Sequence, residues 1–269
     1  MNILVCIKQV PDTTEIKIDP VNKTLIREGV PNIVNTYDTY ALENAARIKD
    51  EDPSSKIVVL SMGPEQASKA LKECLAIAAD KAYLVTDPQF GGSDTLATSY
   101  ILATAIRKIE EMEGAPFDAI FCGRQAIDGD TAQVGPQIAE HLDLPQVTCA
   151  LELERTDGGF HVVQRGPEDS LVIDIATPCV ITFTQPKFDV RYPTIKRKMA
   201  ANKAVVPKIT AADLEGEIDL ARCGLNGSPT HVVSTYVPVH DSHIQFIEGE
   251  TPEEAGVKLA DVLNDAHII

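Results

Sequence analysis

Residues 123–142 read GRQAIDGDTAQVGPQIAEHL, a stretch in which an arginine, two early aspartates and several hydrogen-bonding side chains are spaced by glycine. It follows the apolar run Ala119, Ile120, Phe121 and Cys122, which has the length and composition of a buried strand. A polar loop between a strand and a helix is where unpaired backbone N–H groups and the positive end of a helix dipole can hold a phosphate. Asp130 is expected to cap the helix, with Gln133 three residues on completing a capping box. Pro136 puts the helix start close to Gln133, because a proline deeper inside would clash with the preceding turn. The spacing is neither G-x-G-x-x-G nor G-x-x-x-x-G-K-S/T.

Other residues could do chemistry of their own. Gly91 and Gly92 lead into a second helix entry, with Ser93 or Asp94 as cap and Thr95 and Thr98 one turn apart; hydroxyls there could reach a ligand at the strand ends. His240 and His243 are spaced for one metal, but the proline-broken sequence around them offers no third ligand of the usual kind, so no metal site is expected. Asp128 and Asp130 alternate in a loop and need not converge as an acid/base pair. No serine or cysteine is spaced to a base as a nucleophile, and no catalytic residue is expected. Residues 187–203 carry Lys187, Arg191, Lys196, Arg197, Lys198 and Lys203 against the single acid Asp189. Such a basic island on an acidic chain can steer a negatively charged partner.

These groups need a scaffold, and the apolar pattern supplies one. Strand-like runs at 3–7, 57–60, 82–85 and 117–122 alternate with helical periodicity through Ala41, Leu42, Ala45 and Ala46, through Ala67, Leu71, Cys74, Leu75 and Ala78, and across 94–112. Alternation of this kind predicts an α/β fold, doubly wound, with a mainly parallel sheet and helices on both faces. Runs at 148–155 and 160–165 flank Asp157-Gly158-Gly159, a hairpin signal, and with 171–176 and 180–184 predict an antiparallel extension. Beyond residue 185, six prolines interrupt any long element and only 252–263 looks helical. The expected organisation is an α/β nucleotide-binding domain at 1–185 and, at 186–269, a docking loop and extended C-terminal tail with a terminal helix.

Bulk properties narrow the function class. A chain of 269 residues that is 44% hydrophobic can bury one substantial core with an appendage. No apolar run is long enough to span a bilayer, and residues 2–9 are too short and polar for a signal peptide, so a cytoplasmic protein is expected. Six cysteines without C-x-x-C spacing suit a reducing compartment. The net charge of −16 argues against nucleic acid as a partner.

As a string, G-R-Q-A-I-D at 123–128 resembles the signature of the β subunit of electron transfer flavoproteins. The likeness extends to residues 2–10 (NILVCIKQV), 35–49, 61–64 and the strand ending at 182–184. It implies an adenine-nucleotide α-hydrolase-like fold and a nucleotide surrounded by Cys6, Asn35, Tyr37, Asp38, Met62, Gly63, Cys122, Gly123, Arg124, Gln125, Ala126, Gly129, Asp130, Thr131, Ala132, Gln133 and Val134. The helix entry at Asp94, Thr95 and Thr98 is expected near the carboxyl ends of the strands, where its hydroxyls could reach a flavin or nicotinamide. The resemblance also implies docking on an acyl-CoA dehydrogenase through Ile195, with Arg191, Lys196, Arg197 and Lys198 around it. In the housekeeping branch this subunit holds AMP, and its loop commonly has an acid at the position of Gly129, Asn at Ala132 and Thr at Val134. Here the loop is similar to that of the electron-bifurcating branch, which binds FAD in the AMP position. The resemblance thus implies a heterodimer with the α subunit, NADH as electron donor, and ferredoxin or flavodoxin as a second acceptor, with AMP as the alternative to FAD.

Overall fold

Alternating burial along short apolar runs builds one nine-stranded sheet. The computed structural model describes residues 1–12, 31–234 and 244–269. In chain order the strands are β1 (Asn2–Cys6), β2 (Gln9–Pro11), β3 (Asn32–Val34), β4 (Lys56–Met62), β5 (Lys81–Val85), β6 (Ala119–Gly123), β7 (Gln146–Thr156), β8 (Gly159–Arg165), β9 (Ser170–Ala176), β10 (Cys179–Phe183) and β11 (Lys208–Ile209). The helices are α1 (Thr36–Glu51), α2 (Ser68–Ile77), α3 (Thr95–Glu113), α4 (Val134–Leu142), α5 (Ile195–Lys203) and α6 (Pro252–Asp265). The main sheet runs β11-β5-β4-β1-β6-β10-β7-β8-β9, and β2 and β3 form a separate antiparallel pair.

The central strands are parallel, and their side chains alternate between two apolar layers. Ile3, Val5, Ile57 and Val59 face the layer under α1 and α2 with Leu42 and Leu71, while Leu4, Val58 and Leu60 face the layer under α3 and α4 with Ile101, Ile106 and Ile138. Burial on both faces makes such strands read as continuous apolar runs, since the sheet is covered on each side. The expected doubly wound α/β class is therefore the observed one.

The hairpin at residues 157–158 joins β7 to β8, and β9 pairs antiparallel to β8, giving the expected antiparallel extension. The run at 180–184 does not belong to it: β10 lies between β6 and β7 and is parallel to both. Its five residues are all buried, as a central strand requires, and strand direction cannot be read from an all-apolar run.

The compact unit continues through Val233, with 234–269 as a second unit. Past residue 185 the chain packs α5 on α2 and adds β11 to the edge strand β5. In the second unit Thr251 caps α6 by accepting from the N–H of Glu254, and none of its residues is buried. His240 and His243 lie outside the described residues. Among the described residues, no helix is long and apolar enough to cross a membrane.

Candidate functional site

At the carboxyl ends of β1, β4 and β6 the connections leave in different directions, because β1 is paired with β4 on one side and β6 on the other. This switch point opens a crevice. Cys6, Met62, and Cys122 with Gly123 end these strands there, and Gly63 follows β4 directly.

Residues 124–133 form the wall. Asp130 and Ala132 both adopt left-handed backbone (φ 53° and 54°), and left-handed residues in such a turn are where anion-binding nests of backbone amides form. Among the described residues, the N–H groups of Thr131, Ala132, Gln133, Val134 and Gly135 find no acceptor. They belong to the three residues before α4 and to its first two residues, where the helix dipole adds positive potential. Arg124 is half-buried, its N–H donates to the carbonyl of Phe183 at 2.8 Å, and among the described residues its guanidinium has no partner. A Cβ built on Gly129 would meet nothing within 4 Å, so the space beside the loop is open. Free amides, an unpaired guanidinium and open volume suit a phosphate-bearing nucleotide.

The helix start differs from expectation. Asp130 does not cap α4: its Oδ1 accepts from Gln125 Nε2 at 2.6 Å, and the left-handed turns carry it away from the helix. Gln133 holds the cap position without a side-chain cap bond. Its Oε1 accepts instead from Thr95 Oγ1 at 2.8 Å, tying the entry of α3 to that of α4. Pro136 falls in the first turn, as expected.

Asn35 and Asp38 are brought to the crevice but lie beneath its surface, both under a tenth exposed. Asn35 Nδ2 donates to Asp38 Oδ1 (2.9 Å) and to the carbonyl of Gln125 (2.8 Å), while its Oδ1 accepts from the N–H of Ile127 (3.1 Å). Asparagine is needed because the clamp uses both a donor and an acceptor. Asp38 Oδ2 accepts from the N–H of Lys8 at 2.6 Å. Burial pushes the Asp38 carboxyl up to about 7, against the hydrogen bonds from Asn35, Lys8 and Gly123 and the charge of Lys8. Gly123 is a steric requirement here, since a Cβ would lie 2.2 Å from Asp38 Oδ1. Tyr37, on the same turn, is half-buried.

Asp94 caps α3, accepting from the N–H groups of Leu96 and Ala97, and its other oxygen accepts from the N–H and hydroxyl of Thr230. Thr98 is half-buried one turn in. Three positioning residues were missed in the sequence. Lys8 also pairs its Nζ with Asp128 Oδ1 at 2.7 Å, and its place directly after a strand could have signalled it. Ser228 accepts from the N–H of Asp94, and Thr230 lies beside it; both are 130 or more residues away, with no local signal. Among the described residues no cluster of three or more His, Cys, Asp or Glu side chains could hold a metal.

The basic segment is not a simple loop. Thr194 caps α5 by accepting from the N–H of Arg197, so Ile195 begins a helix. Ile195 is 81% exposed, as are Tyr192 and Met199 to similar degrees. Lys196 and Lys198 are exposed. Arg191 and Arg197 are engaged within the chain. Arg191 grips Glu43 through Nε and Nη2 (2.8 and 2.9 Å) and Asp50 through both Nη atoms (3.2 and 2.8 Å). Arg197 donates to the carbonyls of Leu75, Ala76 and Ala79 at the end of α2, satisfying groups that a helix C-terminus leaves free.

The profile of the electron transfer flavoprotein domain matches residues 22–214. "Electron transfer flavoprotein subunit beta" of Thermoanaerobacterium thermosaccharolyticum is 50% identical over 271 residues, covering 100% of both chains. The protein of the same name from Megasphaera elsdenii is 47% identical over 258 residues, 96% of this chain and 95% of its own. "Caffeyl-CoA reductase-Etf complex subunit CarD" of Acetobacterium woodii is 44% identical over 270 residues, 100% of each. End-to-end similarity at this level, over a sheet whose switch point carries the G-R-Q-A-I-D loop, establishes that the chain belongs to the electron transfer flavoprotein β-subunit family.

Proposed function

We propose that this chain is the β subunit of a heterodimeric, electron-bifurcating electron transfer flavoprotein and that its crevice holds FAD. When bound, the flavin supplies two-electron oxidation of NADH and one-electron delivery, to ferredoxin or flavodoxin and, through the FAD of the α subunit, to an acyl-CoA dehydrogenase. The chain's own residues bind and orient. The amides of residues 131–135 and the α4 dipole would hold the diphosphate. Arg124 would offset its charge and favour the reduced, anionic state of a nearby ring. Cys6, Tyr37, Met62 and Gly63 would border the adenosine, and Asn35 and Asp38 keep the loop in place from below. Thr95 is tied to Gln133, so the entry of α3 is held at the crevice where Thr98 could meet a flavin or nicotinamide.

The observation that carries this reading is the run of amides at 131–135 that find no acceptor among the described residues, beside Arg124, with an exposed Gly129 that puts no side chain in the way of a larger ligand. The name of the Acetobacterium relative, a subunit of a caffeyl-CoA reductase–Etf complex, supports a CoA-thioester enzyme as partner. A second reading, a housekeeping subunit that holds structural AMP and docks the dehydrogenase, shares every phosphate contact. Nucleotides released from the purified heterodimer separate the two: two FAD per heterodimer are expected, and one FAD with one AMP would establish the second reading. Gly129→Asp should lower β-site flavin and spare the α site; full occupancy of both would remove the volume argument.

A further inference from the structure

Among the described residues, every hydrogen-bond partner of the Asp38 carboxylate is a donor. Lys8 N–H lies 2.6 Å from Oδ2, Asn35 Nδ2 lies 2.9 Å from Oδ1, and the Gly123 N–H also faces the group. These donors come from three elements: the segment after β1, the start of α1, and the end of β6. Asn35 then carries the connection into the loop by holding the carbonyl of Gln125 and the N–H of Ile127. One buried carboxylate thus joins these three elements beneath the loop, beside the loop's direct ties from Lys8 Nζ to Asp128 and from the Arg124 N–H to the carbonyl of Phe183. We propose that Asp38 is the positioning residue that locks the strand-end loops of the nucleotide site together, and that it does so only as the carboxylate, so that nucleotide retention is linked to one proton on this side chain.

The chemistry of the acid form explains the link. A protonated carboxyl must donate from one oxygen, and here each oxygen faces an N–H, so one of those donors loses its acceptor in a buried place. Burial brings the group into the range where that proton exchanges near neutrality. The other titratable groups facing it are the Lys8 ammonium, which is paired with Asp128, and the thiols of Cys74 on α2 and Cys122 on β6. Burial raises the Cys74 thiol, and contact with Cys6 together with burial raises that of Cys122. Both thiols stay neutral across this window, so Asp38 alone changes charge with a hydrogen-bond network attached to it. By linkage, a latch made by the charged form is lost as pH falls, and ligand affinity with it.

This inference rests on the adenine-nucleotide reading of the crevice and is independent of which nucleotide it holds. The test uses the αβ complex stripped of its β-site nucleotide and titrated with FAD, whose diphosphate diester has no proton of its own in the window. Affinity is read from flavin fluorescence between pH 8.5 and 5.5, about 1.5 pH units either side of the Asp38 value, and hydrogen exchange of the 123–128 amides, corrected for intrinsic rate, is followed over the same range. Affinity should fall by up to about tenfold per pH unit below the Asp38 value, the limit for one linked proton, and loop protection should fall in step. Asp38→Asn keeps the shape but turns an amide NH2 toward a donor, so it should bind weakly at every pH with no slope. Flat affinity and flat protection in the wild-type complex, or a wild-type slope in Asp38→Asn, would overturn the proposal. If that variant fails to assemble, the wild-type exchange series decides alone. If the β site proves to take AMP and not FAD, the bifurcating reading fails while the exchange series still judges the latch.

Discussion

Arg191 is the residue on which a charge-steering role and a structural role give opposite expectations. Its guanidinium is forked onto Glu43, whose side chain is 6% exposed, and onto Asp50, which is 63% exposed. Arg191→Ala would leave the buried Glu43 carboxylate with the backbone N–H of residue 191 (3.0 Å) but no countercharge, and breaking a buried pair costs about 3–5 kcal/mol. Because Arg191 itself is 30% exposed, the lower end applies, about 3 kcal/mol. The Asp50 arm adds at most about 1 kcal/mol and is screened by salt. For a chain of this size each kcal/mol moves the midpoint by roughly 2–4 °C, so a fall of about 6–16 °C is expected. Circular-dichroism melts of the heterodimer at low and high salt provide the assay, and most of the loss should persist at high salt. The double variant Glu43→Leu/Arg191→Met should recover much of it, since an apolar pair of similar volume avoids the stranded charge. If Arg191→Ala melts with the wild type, or the double variant is no better than the single, the buried-pair reasoning is wrong.

Burial alone would raise the Glu113 carboxyl, but hydrogen bonds from Lys56, Tyr83 and Lys81 outweigh it and bring the value down to about 2 from 4.5. Its stabilisation is present above about pH 4.5 and is lost as pH falls toward 2; acid denaturation of Glu113→Gln should lack that component, and an unchanged acid limb would remove the assignment. Asn35→Ala should cost about 2 kcal/mol of nucleotide affinity, roughly 30-fold, by freeing the loop at Gln125 and Ile127. Equilibrium titration checks it, and unchanged affinity would show that the clamp is redundant. Lys196→Glu/Lys198→Glu should slow electron transfer to the dehydrogenase chiefly at low salt, and Ile195→Ala should shorten the life of the complex at any salt. Stopped-flow rates equal to wild type for both would place docking elsewhere. Arg197→Glu is a poor probe of steering, because it also uncaps α2.

The layered sheet was legible because each central strand is short, apolar and followed by a helical period; Ile3, Leu4 and Val5 alone place one strand between two layers. The parallel insertion of β10 was not, since Val180, Ile181 and Phe183 face buried surroundings on both sides and carry no mark of direction. In the loop, sequence order located the start of α4 beside Gln133, with Pro136 in its first turn. It could not foresee that Asp130 and Ala132 would turn left-handed, an uncommon conformation for residues other than glycine, and so misassigned the cap. Asn35 and Asp38 were placed at the site, while their burial beneath it depends on Lys8, Gln125 and Gly123, brought together only by the fold. The same holds for Arg191 and Arg197, whose charges read as free until Glu43, Asp50 and the end of α2 are seen beside them.

The anchoring of α5 has a metric consequence. Helix α2 starts just beyond Met62 and Gly63 at the crevice and ends where Arg197 grips its last carbonyls. Ten helical residues span about 15 Å, and a capped helix of that length is stiff along its axis. It acts as a ruler with the strand-end crevice at one end and Ile195 near the other. A redox protein seated on α5 would inherit that spacing, so the gap an electron must cross would be fixed before the partner arrives. Inserting a helical turn into α2 would then alter transfer rate without touching either binding surface.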